Sequence, residues 1–274
     1  MTYSVVIPAH DEESVIRRCL DFVTGLVPGE AEVVVVANGC TDGTARVAAG
    51  VPGVTVLDLP PIGKSGALNA GDAVVTALPR VYLDADIVVS TETVRRLASA
   101  LDGPGARVAA PRPVFELGGR PWSVRSFYRV YLRLPYVQQG LTGLGVYAVS
   151  AAGRARFTHF PELTADDLFT QRLFAPHERL VIDDTFTIQT PRSLAALLAV
   201  RTRVAFGNRQ LAEQHPQEQF AESGGSTGRA LVELVRADPW LAPAAVVYVA
   251  VVALARRRAT RSGAATWQRD RTTR

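Results

Sequence analysis

The chain has 274 residues, 47% of them hydrophobic and 20% charged, which is ample for one large domain or two small ones and excludes a disordered chain. Its net charge of +4 is uneven: "RRRATR" and "WQRDRTTR" crowd arginines into the C-terminal end against one acid, Asp270. That is a basic tail on an otherwise balanced protein, and no nucleic-acid partner is expected. Cys19 and Cys40 have no metal-ligand spacing and make no disulfide framework, so a reducing compartment fits best.

From the amino end, strand-type runs alternate with helical patterns: "YSVVIPA" then "EESVIRRCLDFVTGL", "EVVVVAN" then "TDGTARVAAG", "VTVLDL" then "KSGALNAGDAVVTAL", "RVYLDAD" then "TETVRRLASAL". Such units predict an α/β fold with a parallel sheet and helices on both faces, and the valine runs suit strands covered on both sides. After Leu101 the pattern loosens through Gly- and Pro-rich "LDGPGARVAAPRPVFELGG". A helix is expected from Pro121 to Leu134, a strand at "GVYAVS", a loop entering a helix at "PELTADDLFTQRLF", and a long helix at "SLAALLAVRTRVAFGNRQLAEQ". Asp183 and Asp184, between two strand-like runs, read as a turn.

"QHPQEQFAESGGSTG" is turn-rich and reads as the start of a polar linker over 216–238. The last segment, 239–274, holds an apolar helix with a basic tail. Its apolar run, Trp240 to Ala255, is about 16 residues, short of the ~20 that a spanning helix needs. It is either a buried helix or a membrane-seated segment, for which Trp240 and the arginines would be anchors. "TYSVVIPAHDEE" shows no basic and then apolar leader, so the expected location is the cytoplasm, with peripheral contact at the inner face of the membrane as the alternative.

Ligands of open α/β sheets bind beyond the carboxyl ends of the strands, where "PAHDE", "ANGC" and "DAD" fall. In an extended chain Asp84 and Asp86 would face one way, about 6.5–7 Å apart. Their repulsion of roughly 2 kcal/mol at an effective dielectric near 20 is one that a shared cation reverses. The alternative is a solvated loop with Ser90 capping the next helix. Lys64 is the only lysine in the chain. "GKS" is no P-loop, because Asp58 stands where the first glycine belongs.

Taken together, "VVIPAHDEE", "VVVVANGCTDGT", "GKSGALNAG", "YLDAD" and "TADDLFTQRLF" resemble the family 2 glycosyltransferases of the GT-A fold, in the family's order from roughly Tyr3 to Leu211. The resemblance implies a GT-A domain over 1–215, with a nucleotide-binding half at 1–101 and an acceptor half at 102–215. It implies that Asp84 and Asp86, with Ala85 between them, hold Mn²⁺ or Mg²⁺ against a sugar-nucleotide diphosphate. Lys64 would lie near the phosphates, and Pro8, Ala9 and Glu12 near the base. Asn38 stands where many relatives carry an aspartate that recognises the base, which puts uracil specificity in doubt.

Asp166 and Asp167 resemble the family's acidic pair, whose second member takes the acceptor's proton; Asp166 could instead cap its helix. Processive relatives carry Q-x-x-R-W, and here Val200 and Val204 flank Arg203, so polymer synthesis is not expected. Arg203 either approaches the diphosphate or is an exposed helix arginine.

The expected function is inverting, non-processive transfer of one sugar, of hexosyltransferase type, from a nucleotide-diphosphate sugar to an acceptor hydroxyl. The acceptor would be lipid-linked, a saccharide or a small molecule, as in cell-surface glycan, glycolipid or natural-product biosynthesis. The alternatives are a sugar-1-phosphate nucleotidylyltransferase, although "PAHDEE" is no Gly-rich loop, and a non-catalytic sugar-nucleotide-binding or membrane scaffold protein.

Overall fold

A computed structural model describes residues 2–23, 25, 29–139, 141, 145–214 and 226–261. In chain order the first half contains β1 (Tyr3–Ala9), α1 (Glu13–Val23), β2 (Ala31–Asn38), α2 (Thr44–Ala49), β3 (Val54–Leu59), α3 (Gly63–Val74), β4 (Arg80–Leu83) and α4 (Thr91–Ala100). Then come β5 (Val108–Glu116), α5 (Trp122–Tyr131), α6 (Pro135–Gln139), β6 (Val146–Val149), α7 (Ala151–Arg154), α8 (Asp166–Arg172) and β7 (Arg179–Gln189). Three helices close the described chain: α9 (Leu194–Gln214), α10 (Ser226–Ala237) and α11 (Ala242–Arg261).

The chain forms two compact units, one of Met1–Val114 with Gly143–Ile188, the other of Phe115–Thr142 with Gln189–Arg274. In the first, the sheet order is β3-β2-β1-β4-β6-β5-β7. The first four strands are parallel neighbours, as the alternating pattern predicts. β6 enters antiparallel between β4 and β5.

β1 is central and buried along its whole length, yet contains Pro8. The Ser4 N–H points to β4, donating to Pro79 O, so the even-numbered residues face that side. The β1–β4 ladder ends at Val6↔Tyr82, so the N–H that Pro8 lacks would have no partner to lose. α3 lies close on this sheet: a Cβ at Gly71 would fall 2.5 Å from Val6 Cγ1.

Two sequence expectations change here. The loosened stretch after Leu101 contains β5, whose ladder with β6 covers Val108 and Ala109 while β7 lies on its other side, so Pro111 and Pro113 fall where β5 is no longer paired to β6. Asp183 and Asp184 are not in a turn but inside edge strand β7, where Asp184 meets Arg96 at 3.5 Å. Ser90 does cap α4, accepting from the Thr93 N–H.

The second unit is helical around Phe127, Leu134, Leu197, Tyr248 and Val251. The expected linker over 216–238 contains α10, because Ala230, Leu231, Leu234 and Val235 recur at helical spacing and pack on this core. Its first part, 216–225, and the basic tail at 262–274 lie outside the described residues. Residues 115–142 and 189–214 belong with the C-terminal helices and not with a 1–215 domain, because α5 and α9 contribute their apolar faces to the core that α11 completes.

α11 is longer than the apolar run suggests. With Pro239–Leu241 it makes a 23-residue stretch containing an 18-residue window of mean hydropathy 1.6, enough by length and composition to cross a membrane. Ala244, Ala245, Tyr248, Val251 and Ala255 bury one of its faces.

Candidate active site

The loops after β1 and β2 are tied to one another. Asp11 takes a left-handed backbone conformation (φ 52°), and its carboxylate accepts from the Thr41 N–H at 2.7 Å, which holds its pKa below the usual carboxylate value. The Glu12 N–H donates to Thr44 Oγ1 at 2.7 Å, and His10 Nδ1 lies 2.8 Å from Asn38 O. Pro8 and Ala9 are buried at the end of β1. Asn38 is also buried, and its amide oxygen accepts from the Ile62 N–H at 2.7 Å, just before α3. Asn38, expected near the nucleotide base, thus also holds the entry to α3. An aspartate could make the same bond.

β4 stops at Leu83, and the Ile87 N–H closes a turn on Asp84 O at 3.0 Å. Asp84 and Asp86 therefore lie on a turn, and the alternation of an extended strand does not apply to them. Ala85 is buried within it, and Asp86 is half-exposed.

Lys64, in the first turn of α3, joins two acids that are distant in sequence. Its Nζ is 2.8 Å from Asp84 Oδ1 and 3.1 Å from Asp166 Oδ1. Asp166 is only 4% exposed. It is the first residue of α8, whose cap position is Ala165, so the helix-cap role considered for Asp166 is not the one it takes. Burial lifts its pKa to about 6 against the pull of Lys64. Burial would push the Lys64 ammonium down, but Asp166, Asp84 and Asp167 hold it above its usual range. Asp167 is half-exposed, accepts the Leu168 N–H at 2.7 Å, and is likewise raised by burial against Lys64.

The residues at 84–86 suit a hard cation. Two carboxylates leave most of a six-fold shell to phosphate oxygens and water, the way Mg²⁺ and Mn²⁺ are held with a diphosphate. Gly145 makes room beside them: the Asp84 N–H donates to its carbonyl at 2.7 Å, and a Cβ there would crowd Asp84 Oδ2 at 3.0 Å. Another group, Asp11, Cys40 and Asp42, has ligand atoms within 4.8 Å of one another. Thr41 already bonds the Asp11 carboxylate, and the N–H groups of Glu13 and Thr44 bond that of Asp42, so these acids fasten loops.

Of the remaining expected residues, Glu12 stands at the start of α1, and Arg203 is exposed on α9 in the second unit. Gly145, Ser65 and Asn69 stand outside the residues expected from the sequence. Ser65 and Asn69 lie one helical turn apart among small apolar residues of α3, a polar stripe that gave a usable signal.

A sheet whose parallel strands carry acidic loops at their carboxyl ends, extended by antiparallel β6, has the architecture of the GT-A glycosyltransferases. The chain belongs to glycosyl transferase family 2, whose profile matches residues 4–158.

Among solved structures it resembles the mannosyltransferase PcManGT from Pyrobaculum calidifontis, determined with GDP-Man and Mn²⁺. There the identity is 23% and the TM-score 0.61, with 92% of this chain and 74% of that one covered. It also resembles glucosyl-3-phosphoglycerate synthase from Mycobacterium tuberculosis, determined with Mn²⁺, UDP and phosphoglyceric acid, at 22% identity and a TM-score of 0.56, covering 81% and 80%. The third is residues 1–349 of TarS from S. aureus, at 17% identity and a TM-score of 0.50, covering 95% and 92%. No curated protein matches the chain.

Proposed function

We propose that this protein is an inverting, non-processive, metal-dependent glycosyltransferase that moves one sugar from a nucleotide-diphosphate donor to an acceptor hydroxyl. The observation that carries this is the cluster in which Lys64 bridges Asp84, beside Asp86, to Asp166, beside Asp167. Asp84 and Asp86 would hold the cation, which, when bound, offsets the charge that grows on the departing diphosphate. Lys64, within reach of the same place, adds a positive charge on the donor side.

Asp167 is the base. Asp166 is committed to Lys64, whereas Asp167 is more exposed. As the acceptor oxygen forms its bond to the anomeric carbon and the bond to the diphosphate breaks, Asp167 takes the hydroxyl proton.

Incubation with Mn²⁺ and UDP-glucose, UDP-N-acetylglucosamine or GDP-mannose tests this reading. Slow nucleoside diphosphate release is expected with at least one donor. Pyrophosphate chemistry would point to a nucleotidylyltransferase, and binding without turnover to a scaffold.

For location, the outward face of α11 supports contact with the cytoplasmic face of an anionic membrane, which would suit a lipid-linked acceptor. Trp240 is 86% and Val246 69% exposed, Val249 and Leu254 are also exposed, and Arg256, Arg257 and Arg261 follow on the exposed surface. An interfacial helix has this composition, and each arginine near anionic headgroups contributes about 1 kcal/mol. The full chain is expected to float with anionic liposomes at low salt and to be partly released at high salt. Changing Arg256, Arg257 and Arg261 to Gln should weaken flotation at low salt. A chain that stays in the soluble fraction at both salts has no such membrane contact.

A further inference from the structure

Residues 155–165, between α7 and α8, form neither helix nor strand, yet they lead directly to the acid pair. Their path is tied to one side of α3. Asp72 accepts from Arg154 at 2.8 Å, and Arg154 also donates to the carbonyl of Phe157. Asn69 makes both bonds that its amide allows to Phe160: Nδ2 donates to the carbonyl at 2.9 Å, and Oδ1 accepts from the N–H at 2.7 Å. Ser65 Oγ donates to Leu163 O at 3.2 Å and accepts from its N–H at 3.4 Å. Lys64 then meets Asp166.

The order along α3 descends, 72, 69, 65, 64, while the order along the segment rises, 154, 160, 163, 166. A ladder of polar contacts therefore runs antiparallel along about 12 Å of helix. α3 is itself held against β1 at Gly71, where no Cβ would fit. The helix that carries Lys64 is therefore also the rigid edge against which the irregular segment is laid.

We propose that Asn69 and Ser65 are positioning residues for the acid pair: they set where Asp166 and Asp167 stand relative to Lys64 and Asp84 without touching substrate. This rests on the reading of Asp167 as the base. A backbone segment without regular structure keeps its place only if its polar groups have fixed partners, and Asn69 supplies two to one residue. Displacement of a base by about 1 Å costs up to about 10²-fold in rate while leaving donor contacts intact.

The full-length variants Asn69→Ala, Asn69→Asp and Ser65→Ala test the proposal through kcat, donor affinity by calorimetry with Mn²⁺, and amide hydrogen exchange. Asn69→Ala should lower kcat about 10- to 100-fold with donor affinity within about twofold. Its exchange should accelerate across 155–170 and not in β1 or β2. Asn69→Asp, which keeps the acceptor for the Phe160 N–H but not the donor, should fall between. Ser65→Ala, the smaller change, should act in the same direction.

Unchanged exchange over 155–170, unchanged kcat despite faster exchange there, or equal losses of kcat and donor affinity would each overturn the proposal. Acceleration spread over the whole sheet would do the same. The exchange measurement stands even if no donor is turned over, so failure of the positioning role and failure of the transferase reading are told apart.

Discussion

Asp167→Asn is expected to bind donor within about twofold of the unaltered chain and to turn it over at least ~10²-fold more slowly, the usual scale for loss of a general base. The substitution is nearly isosteric and keeps an oxygen for the Leu168 N–H, so α8 retains its first turn. What it loses is a proton acceptor whose affinity for the proton burial has raised.

That environment sets a second readout. A base works only when deprotonated, and burial raises the Asp167 pKa, so turnover should be full above that raised pKa and lost as pH falls through it. The acid limb of the kcat profile should therefore lie above the ordinary carboxylate range near 4. It should change in the residual activity of Asp167→Asn, where only Asp166 of the pair is left to titrate. Asp166→Asn should act differently, by removing a partner of Lys64 and disturbing donor binding as well. If Asp166→Asn alone abolishes turnover and Asp167→Asn is mild, the assignment of the base is wrong.

Asp86→Ala is expected to bring donor affinity in Mn²⁺ down to the level measured in EDTA, a loss of about tenfold or more, because one remaining carboxylate is a poor site for a hard dication. Asp84→Ala would not test the cation alone. The Asp84 carboxylate also holds Lys64 at 2.8 Å, so its removal would disturb the start of α3 together with any cation. Titration calorimetry of donor binding, with and without EDTA, gives the answer directly. Equal affinity of the unaltered chain in both conditions would remove the cation from the proposed mechanism.

Much of the first unit follows from local pattern. Valine runs broken by helical periods locate β1 to β4 and the helices between them, because burial on both faces of a parallel strand or on one side of a helix leaves a repeat readable over ten or so residues. The acids at 84 and 86, the lone lysine at 64 and the pair at 166 and 167 are visible for the same reason: each breaks an apolar pattern where a strand ends or a helix begins.

Other features depend on partners far away along the chain. The prolines of β5 and the acids of β7 suggest loops until β6 and Arg96 are beside them. α10 reads as linker until the core that α5, α9 and α11 form with it accepts its apolar stripe. The bond from the Ile62 N–H to Asn38 leaves no trace in local pattern, and Asp86 appears extended until the turn at Asp84 closes.

Only the folded chain brings Lys64 within 3.1 Å of Asp166 and sets Asn69 against Phe160. Apolar burial is additive and leaves a periodic trace in one segment. Hydrogen bonds and ion pairs are short-ranged and pairwise, so they are decided by which two groups the completed tertiary structure places together.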